Sequence, residues 1–208
     1  MADRDLGSIV RDIQKKIEAS IQLPEGYHIE YGGQFESEQA ASRTLLLTSL
    51  MSLLVIFMLL YHEFKDAKES GIIMLNLPLA LIGGVFILRL TSSEVSIPAI
   101  IGFISLFGIA TRNGMLLISH YKHLRIEQNM PLLQAVVQGS MDRLNPILMT
   151  ALSSALALIP LALNGDLPGN EIQSPMATVI LGGLLTSTLL NGFIIPIVYI
   201  LINKNEKE

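Results

Sequence analysis

Eighteen consecutive residues, Thr44 to Tyr61, carry no charge. At about 1.5 Å of rise per residue a helix of that length crosses most of the roughly 30 Å hydrocarbon layer of a bilayer. Four further apolar runs follow, at about 71–88, 97–120, 146–163 and 175–202. A bilayer admits only structures that satisfy every backbone N–H and C=O internally, and long runs without strand alternation do so as helices. The expected fold is therefore an all-α polytopic membrane protein with five transmembrane helices. Composition agrees, since half the chain is hydrophobic, 15% is charged and the mean hydropathy is +0.52.

The residues before the first run read differently. In DLGSIVRDIQKKIEASI, at 5–21, Ile9, Ile13, Ile17 and Ile21 recur at helical spacing with charges between them. Then LPEG makes a turn, and Tyr27, Ile29 and Tyr31 alternate with His28 and Glu30 as a strand would, up to Gly32-Gly33. One helix and one strand bury too little surface to stand alone. Residues 1–43 are thus expected to be the small α/β remnant of a larger domain, 44–202 the membrane domain, and 203–208 a polar tail. Met130 to Met141 sets Leu132, Leu133, Val136, Val137 and Met141 on one face, which predicts a separate helix lying along the interface.

Basic residues set the orientation. Lys65, Lys68, Lys122, Arg125, Arg143, Lys204 and Lys207 fall on one side; Arg89 stands at the far end of the second run, where snorkelling accounts for it, and beyond it the loops after the second and fourth runs hold no Lys or Arg. By the positive-inside rule the first side, with the C-terminus, is cytoplasmic, and five spans then place the N-terminal segment outside. That segment lacks the basic-then-apolar pattern of an export signal. An upstream membrane segment is therefore expected, with this chain as the C-terminal part of a longer protein; the alternative is a short N-terminal tail that crosses unaided.

One charge lies inside a span. Arg112, in IIGFISLFGIATRNGMLLISHY at 100–121, sits about 11 Å from the span's end near Ser119 or His120, beyond comfortable snorkelling. A guanidinium stays protonated, so it must face protein or water. No Asp or Glu falls within any of the five runs, so its counter-charge is expected from outside this chain. Thr111, Asn113, Thr150 and, less directly, Asn76 and Asn191 are polar groups that would line the same region. Arg143 and Thr150 are seven residues apart, two helical turns, and share a face. Two readings fit them: a polar stripe facing an absent acidic helix, or an interfacial anchor and a threonine bonded back to its own helix.

Other chemistry is sparse. His62-Glu63 lacks the second histidine of a zinc-protease motif, and His120 with His123 lacks a third ligand. The absence of cysteine excludes disulfides and thiolate sites. No nucleic-acid patch, metal site, cofactor or enzymatic activity is expected, because no acid, serine–histidine pair or metal triad lies within the spans.

The runs GFISLFGIATRNGMLLISHYKHL, DRLNPILMTALSSALALIPLAL and PGNEIQSPMATVILGGLLTSTLLNGFIIPIVY, with RDLGS and LPEGYHIEYGGQFE ahead of them, resemble the C-terminal quarter of a resistance-nodulation-division (RND) efflux permease, nearest its heavy-metal efflux branch. The resemblance implies the end of a periplasmic porter domain followed by spans eight to twelve of twelve in the bacterial inner membrane. It further implies a homotrimer, a periplasmic adaptor, an outer-membrane channel, and export of metal cations or other toxic compounds driven by the proton-motive force. The family's basic residue in the tenth span, which pairs with acids of the fourth, matches Arg112, followed by Asn113. Its eleventh-span R-x-x-P-x-x-x-T pattern matches Arg143 and Thr150. Together these four residues form the expected proton relay. Some metal exporters carry a lysine where Ile147 stands, and the acidic fourth span has no counterpart here. The rival expectations are a complementing subunit of a split pump and a fragment that inserts without transporting.

Overall fold

The computed structural model describes residues 6–21, 24, 26, 29, 34–91, 96–165, 167–170 and 172–204. All its regular structure is helical: α1 (Leu6–Ser20), α2 (Gln34–Phe64), α3 (Ala67–Met74), α4 (Asn76–Thr91), α5 (Ile97–Ile126), α6 (Leu132–Leu163) and α7 (Gln173–Asn203). The chain divides into two compact units, Met1–Thr48 and Ser49–Glu208. In the first, α1 is the amphipathic helix the isoleucine spacing predicts, but Ile13 is 45% exposed. The expected strand over 27–31 lies almost wholly outside the described residues, so among the described residues the α/β remnant is represented by α1 alone.

Five helical stretches are long and apolar enough to cross a membrane: Ala40–Phe64, Ala67–Thr91, Ile97–Ile126, Leu132–Leu163 and Gln173–Asn203. The second is jointed. Pro78 has no N–H to give the carbonyl of Met74, and its ring crowds that carbonyl, so the helix loosens at Leu75 and restarts as α4. Asp66 begins α3 by accepting a 2.8 Å hydrogen bond from the Lys68 amide. Lys65, at φ 54°, ends α2 in the left-handed conformation.

The fourth stretch corrects an expectation. Residues 132–141 do not form a separate interfacial helix; they are the opening turns of α6, which continues through Pro146 to Leu163. A proline withdraws one N–H from a helix, and here that leaves the Asp142 carbonyl without its usual donor while the flanking turns hold.

Packing is densest among α4, α5 and α7. Gly84 lies against Val179, Gly83 against Gly182, and Gly183 against the Ala80 carbonyl, so α4 and α7 run antiparallel. Gly102 meets Met176 and Gly183 meets Leu106, so α5 and α7 run parallel. Small residues let the backbones touch, the usual means of tight association where hydrocarbon offers no hydrophobic drive between helices. Two apolar clusters follow. One joins Leu77, Ala80, Leu106, Phe107 and Ala110. The other joins Ile72, Ile73, Leu117, Ile118 and Ile195 with Tyr121 and Tyr199, whose rings lie 5.2 Å apart.

Candidate functional site

Arg112 stands on the outer face of α5, exposed, with no hydrogen bond or ion pair among the described residues. The cause is helical phase. Ala110 and Gly114, each two residues or about 200° away around the helix, are buried in the bundle, which turns Arg112 outward. Asn113 faces inward and is 3% exposed. Thr111 is half-buried, and its hydroxyl oxygen has no partner.

Arg143 and Thr150 lie on α6, both half-buried. The Thr150 hydroxyl donates to the Pro146 carbonyl at 2.8 Å, so it is bonded back to its own helix, with its acceptor lone pairs still free to serve another group. The register of α5 against α6 is fixed by His120, whose Nε2 lies 3.1 Å from Asp142 Oδ2, and by Tyr121, whose hydroxyl pairs with Ser140 Oγ at 2.5 Å. Counting about eight residues up each antiparallel helix from the His120–Asp142 contact, roughly 12 Å, brings Thr150 level with Arg112. Arg143 lies lower, at one end of the bundle. There it lines a polar hollow of about 640 Å³ with Ser119, His120, Lys122, His123 and Glu127. No hydrogen bond joins any two of Arg112, Asn113, Arg143 and Thr150.

Two polar groups fall where phase, not composition, decides. Asn76 and Asn191 do not share the face of Arg112. Both are buried in the bundle core, 0% and 1% exposed, with Asn76 pressed on Gly114 on the far side of α5. Sequence reading also missed an interfacial lock. Lys122 Nζ lies 2.9 Å from Glu69 Oε2, donates to the Phe64 carbonyl at 3.2 Å, and sits 5.7 Å from the centre of the Phe64 ring. One cation thereby ties the end of α2, the start of α3 and α5 together. The signal was a lysine and a glutamate 53 residues apart, a separation that sequence periodicity does not link. Among the described residues no group of three or more His, Cys, Asp or Glu is placed to hold a metal.

The site is thus half of something: a cation on an apolar helix without a partner among the described residues, a threonine level with it, and a second arginine below. Residues 1–203 match the AcrB/AcrD/AcrF family. The chain is 40% identical over 205 residues to the nickel-cobalt-cadmium resistance protein NccA of Alcaligenes xylosoxydans xylosoxydans, covering 99% of this chain and 19% of that protein. It is 37% identical to the cobalt-zinc-cadmium resistance protein CzcA of Cupriavidus metallidurans, again over 99% of this chain and 19% of that one. Among solved structures, a crystal structure of a heavy metal efflux pump superposes with a TM-score of 0.85 at 36% identity, covering 99% of this chain and 20% of that chain. The chain therefore spans about a fifth of the length of these relatives. Motif order and these likenesses converge: the relatives named are metal-resistance and heavy-metal efflux proteins, and the chain itself belongs to the AcrB/AcrD/AcrF family, the RND family.

Proposed function

We propose that this chain is the C-terminal membrane portion of a proton-driven exporter of metal cations in a bacterial inner membrane, and that Arg112 pairs there with a carboxylate carried by a span outside the chain. The observation that carries the reading is Arg112 itself, charged within an apolar span, turned out of the bundle, and without a partner among the described residues. An isolated charge in hydrocarbon is costly enough that such residues pair or line water. The titrating partner is the carboxylate. An adjacent guanidinium favours its ionised form, and protonation breaks the pair and biases the helices toward another packing. Thr150, level with Arg112, assists by hydrogen bonding near that pair, and Arg143 supplies positive charge below it, whereas Asn113, turned into the bundle, takes no part in the pair.

The same reading places residues 1–43 with a periplasmic porter domain, the five spans over 44–202 in the membrane, and the tail from 203 in the cytoplasm. It also carries a homotrimer working with a periplasmic adaptor and an outer-membrane channel. The names of the relatives, drawn from resistance to nickel, cobalt, zinc and cadmium, support metal cations over organic compounds as the cargo. The test is metal uptake by everted vesicles containing the full-length protein, energised by a pH gradient. Arg112→Ala is expected to abolish uptake at unchanged membrane abundance, whereas Arg112→Lys, which keeps the charge, retains a measurable part. Undiminished transport by the alanine variant refutes the role given to Arg112.

A further inference from the structure

The core of α4, α5 and α7 is not apolar throughout. Between the contact of Gly183 with Ala80 and Leu106, and the cluster of Ile73, Leu117 and Ile195, the buried positions turn polar on all three helices: Asn76 on α4, Asn113 on α5, Ser187 and Asn191 on α7. Asn76 is fully buried and Asn191 99% buried, yet neither the amide nitrogen nor the carbonyl oxygen of either side chain has a hydrogen-bond partner. The Thr188 hydroxyl, one turn from Asn191, is likewise buried and unpartnered. Ser187 differs, donating to the Leu184 carbonyl at 3.2 Å.

Orphan amides in a membrane core have few resolutions. Each offers two donors and an acceptor oxygen, and leaving them bare in a low-dielectric interior is strongly unfavourable. Asn76 and Asn191 are not bonded to each other, nor does either amide donate to the nearby carbonyls, of Met74 and Gly192, that Pro78 and Pro196 leave without a helical donor. Water fits the need, since one molecule both donates and accepts, and buried waters characteristically bridge two to four such groups. Thr188 and Asn191 also line a cleft of about 380 Å³ between α6 and α7; its walls are mostly apolar, among them Leu144, Ile147 and Phe193, and its other polar side chain is Ser140, near the end that holds Arg143, so Asn191, Thr188 and Ser140 mark the polar way out.

We infer that Asn76, Thr188 and Asn191 form an internal hydration site, holding a small cluster of water molecules between α4, α5 and α7 that exchanges with bulk solvent through the α6–α7 cleft. The site lies on the opposite side of α5 from Arg112. It is independent of the carboxylate pairing proposed above.

The chain contains no cysteine, so one introduced thiol is a clean probe. Thr188→Cys, nearly isosteric, and Asn191→Cys would be reconstituted in nanodiscs as the full chain. The S–H stretch would then be followed by infrared spectroscopy on transfer to D₂O. Val179→Cys, at a 0% exposed position in an apolar cluster, is the dry control. The expected result is exchange to S–D at 188 and 191 at least tenfold faster than at 179, with a band shifted to lower frequency by hydrogen bonding. Circular dichroism checks that each variant keeps its helicity; if Asn191→Cys does not, Thr188→Cys alone decides. Exchange at 188 no faster than at 179 overturns the proposal and makes the layer a dry one.

Discussion

The contact between α4 and α7 can be tested by adding a single methyl group. A Cβ placed on Gly83 lies 2.5 Å from the Gly182 carbonyl oxygen, where ordinary contact begins at 3.4 Å. The Thr186 side chain would lie closer still and must turn aside, but the Gly182 carbonyl is backbone and no rotamer moves it, so the helices must part by about 0.9 Å along that line, or else α7 must bend. Overpacking of this kind typically costs about 1–3 kcal/mol, and parting the helices also loosens the neighbouring contact of Gly183 with Ala80. Gly83→Ala is therefore expected to destabilise the bundle by about 2 kcal/mol. Gly108 and Gly192 are the controls, because an added Cβ there meets nothing within 4 Å. At those positions alanine is expected to be neutral or to stabilise by about 0.4–1 kcal/mol, through the reduced freedom of the unfolded chain. The double variant Gly83→Ala/Gly182→Ala should cost less than the sum of its parts, since both methyl groups demand the same separation. Reversible unfolding in mixed micelles of rising dodecyl sulfate fraction, followed by circular dichroism, measures all four. If Gly83→Ala unfolds at the same fraction as Gly108→Ala, the helices are not in backbone contact and the register described here is wrong.

Two further substitutions bear on the interfacial end. Lys122→Met should destabilise by about 1–3 kcal/mol, because it leaves the buried Glu69 without its cation, though the 35% exposure of the Lys122 side chain lets water screen the loss. Lys122→Met with Glu69→Gln should recover most of that loss, and a double variant no better than the single one would show that the pair does not act as a unit. Tyr121→Phe should cost no more than about 1 kcal/mol, because the Ser140 hydroxyl still donates to the Val136 carbonyl at 2.7 Å. A larger loss in the same unfolding titration would mean that the phenol has a second role.

How much of this was legible beforehand depended on whether a feature is local. The five spans were, because hydrocarbon leaves a long apolar run no alternative to helix; the joint at Leu75 was less so, since Pro78 breaks its helix while Pro146 and Pro196 leave theirs continuous. The outward placement of Arg112 was half legible: its isolation from any carboxylate could be read from the sequence, but the face it occupies depends on which positions of α5 meet α4 and α7. The same ignorance of phase put Asn76 and Asn191 on the wrong side of that helix. The separate interfacial helix expected before Pro146 failed for a different reason. Its amphipathic spacing was real, yet a proline in the middle of a long helix removes only one bond, and the surrounding turns carry α6 through it. The Lys122–Glu69 pair was invisible because only tertiary register joins two residues so far apart.

The joint in the second membrane stretch bears on how the bundle suits its bilayer. Ala67–Thr91 comprises 25 residues, about 37 Å if straight, against a hydrocarbon layer of roughly 30 Å. A rigid rod of that length takes up the excess by tilting as a whole, and α4 cannot tilt freely while its glycines lie against α7. With the helix broken at Leu75, α3 takes the angle set by Ile72 and Ile73 in the core and by Glu69 on Lys122, while α4 keeps its seat on α7. The excess length is then taken up by a bend at one end of one helix, and the glycine contacts of α4 with α7 are spared the mismatch.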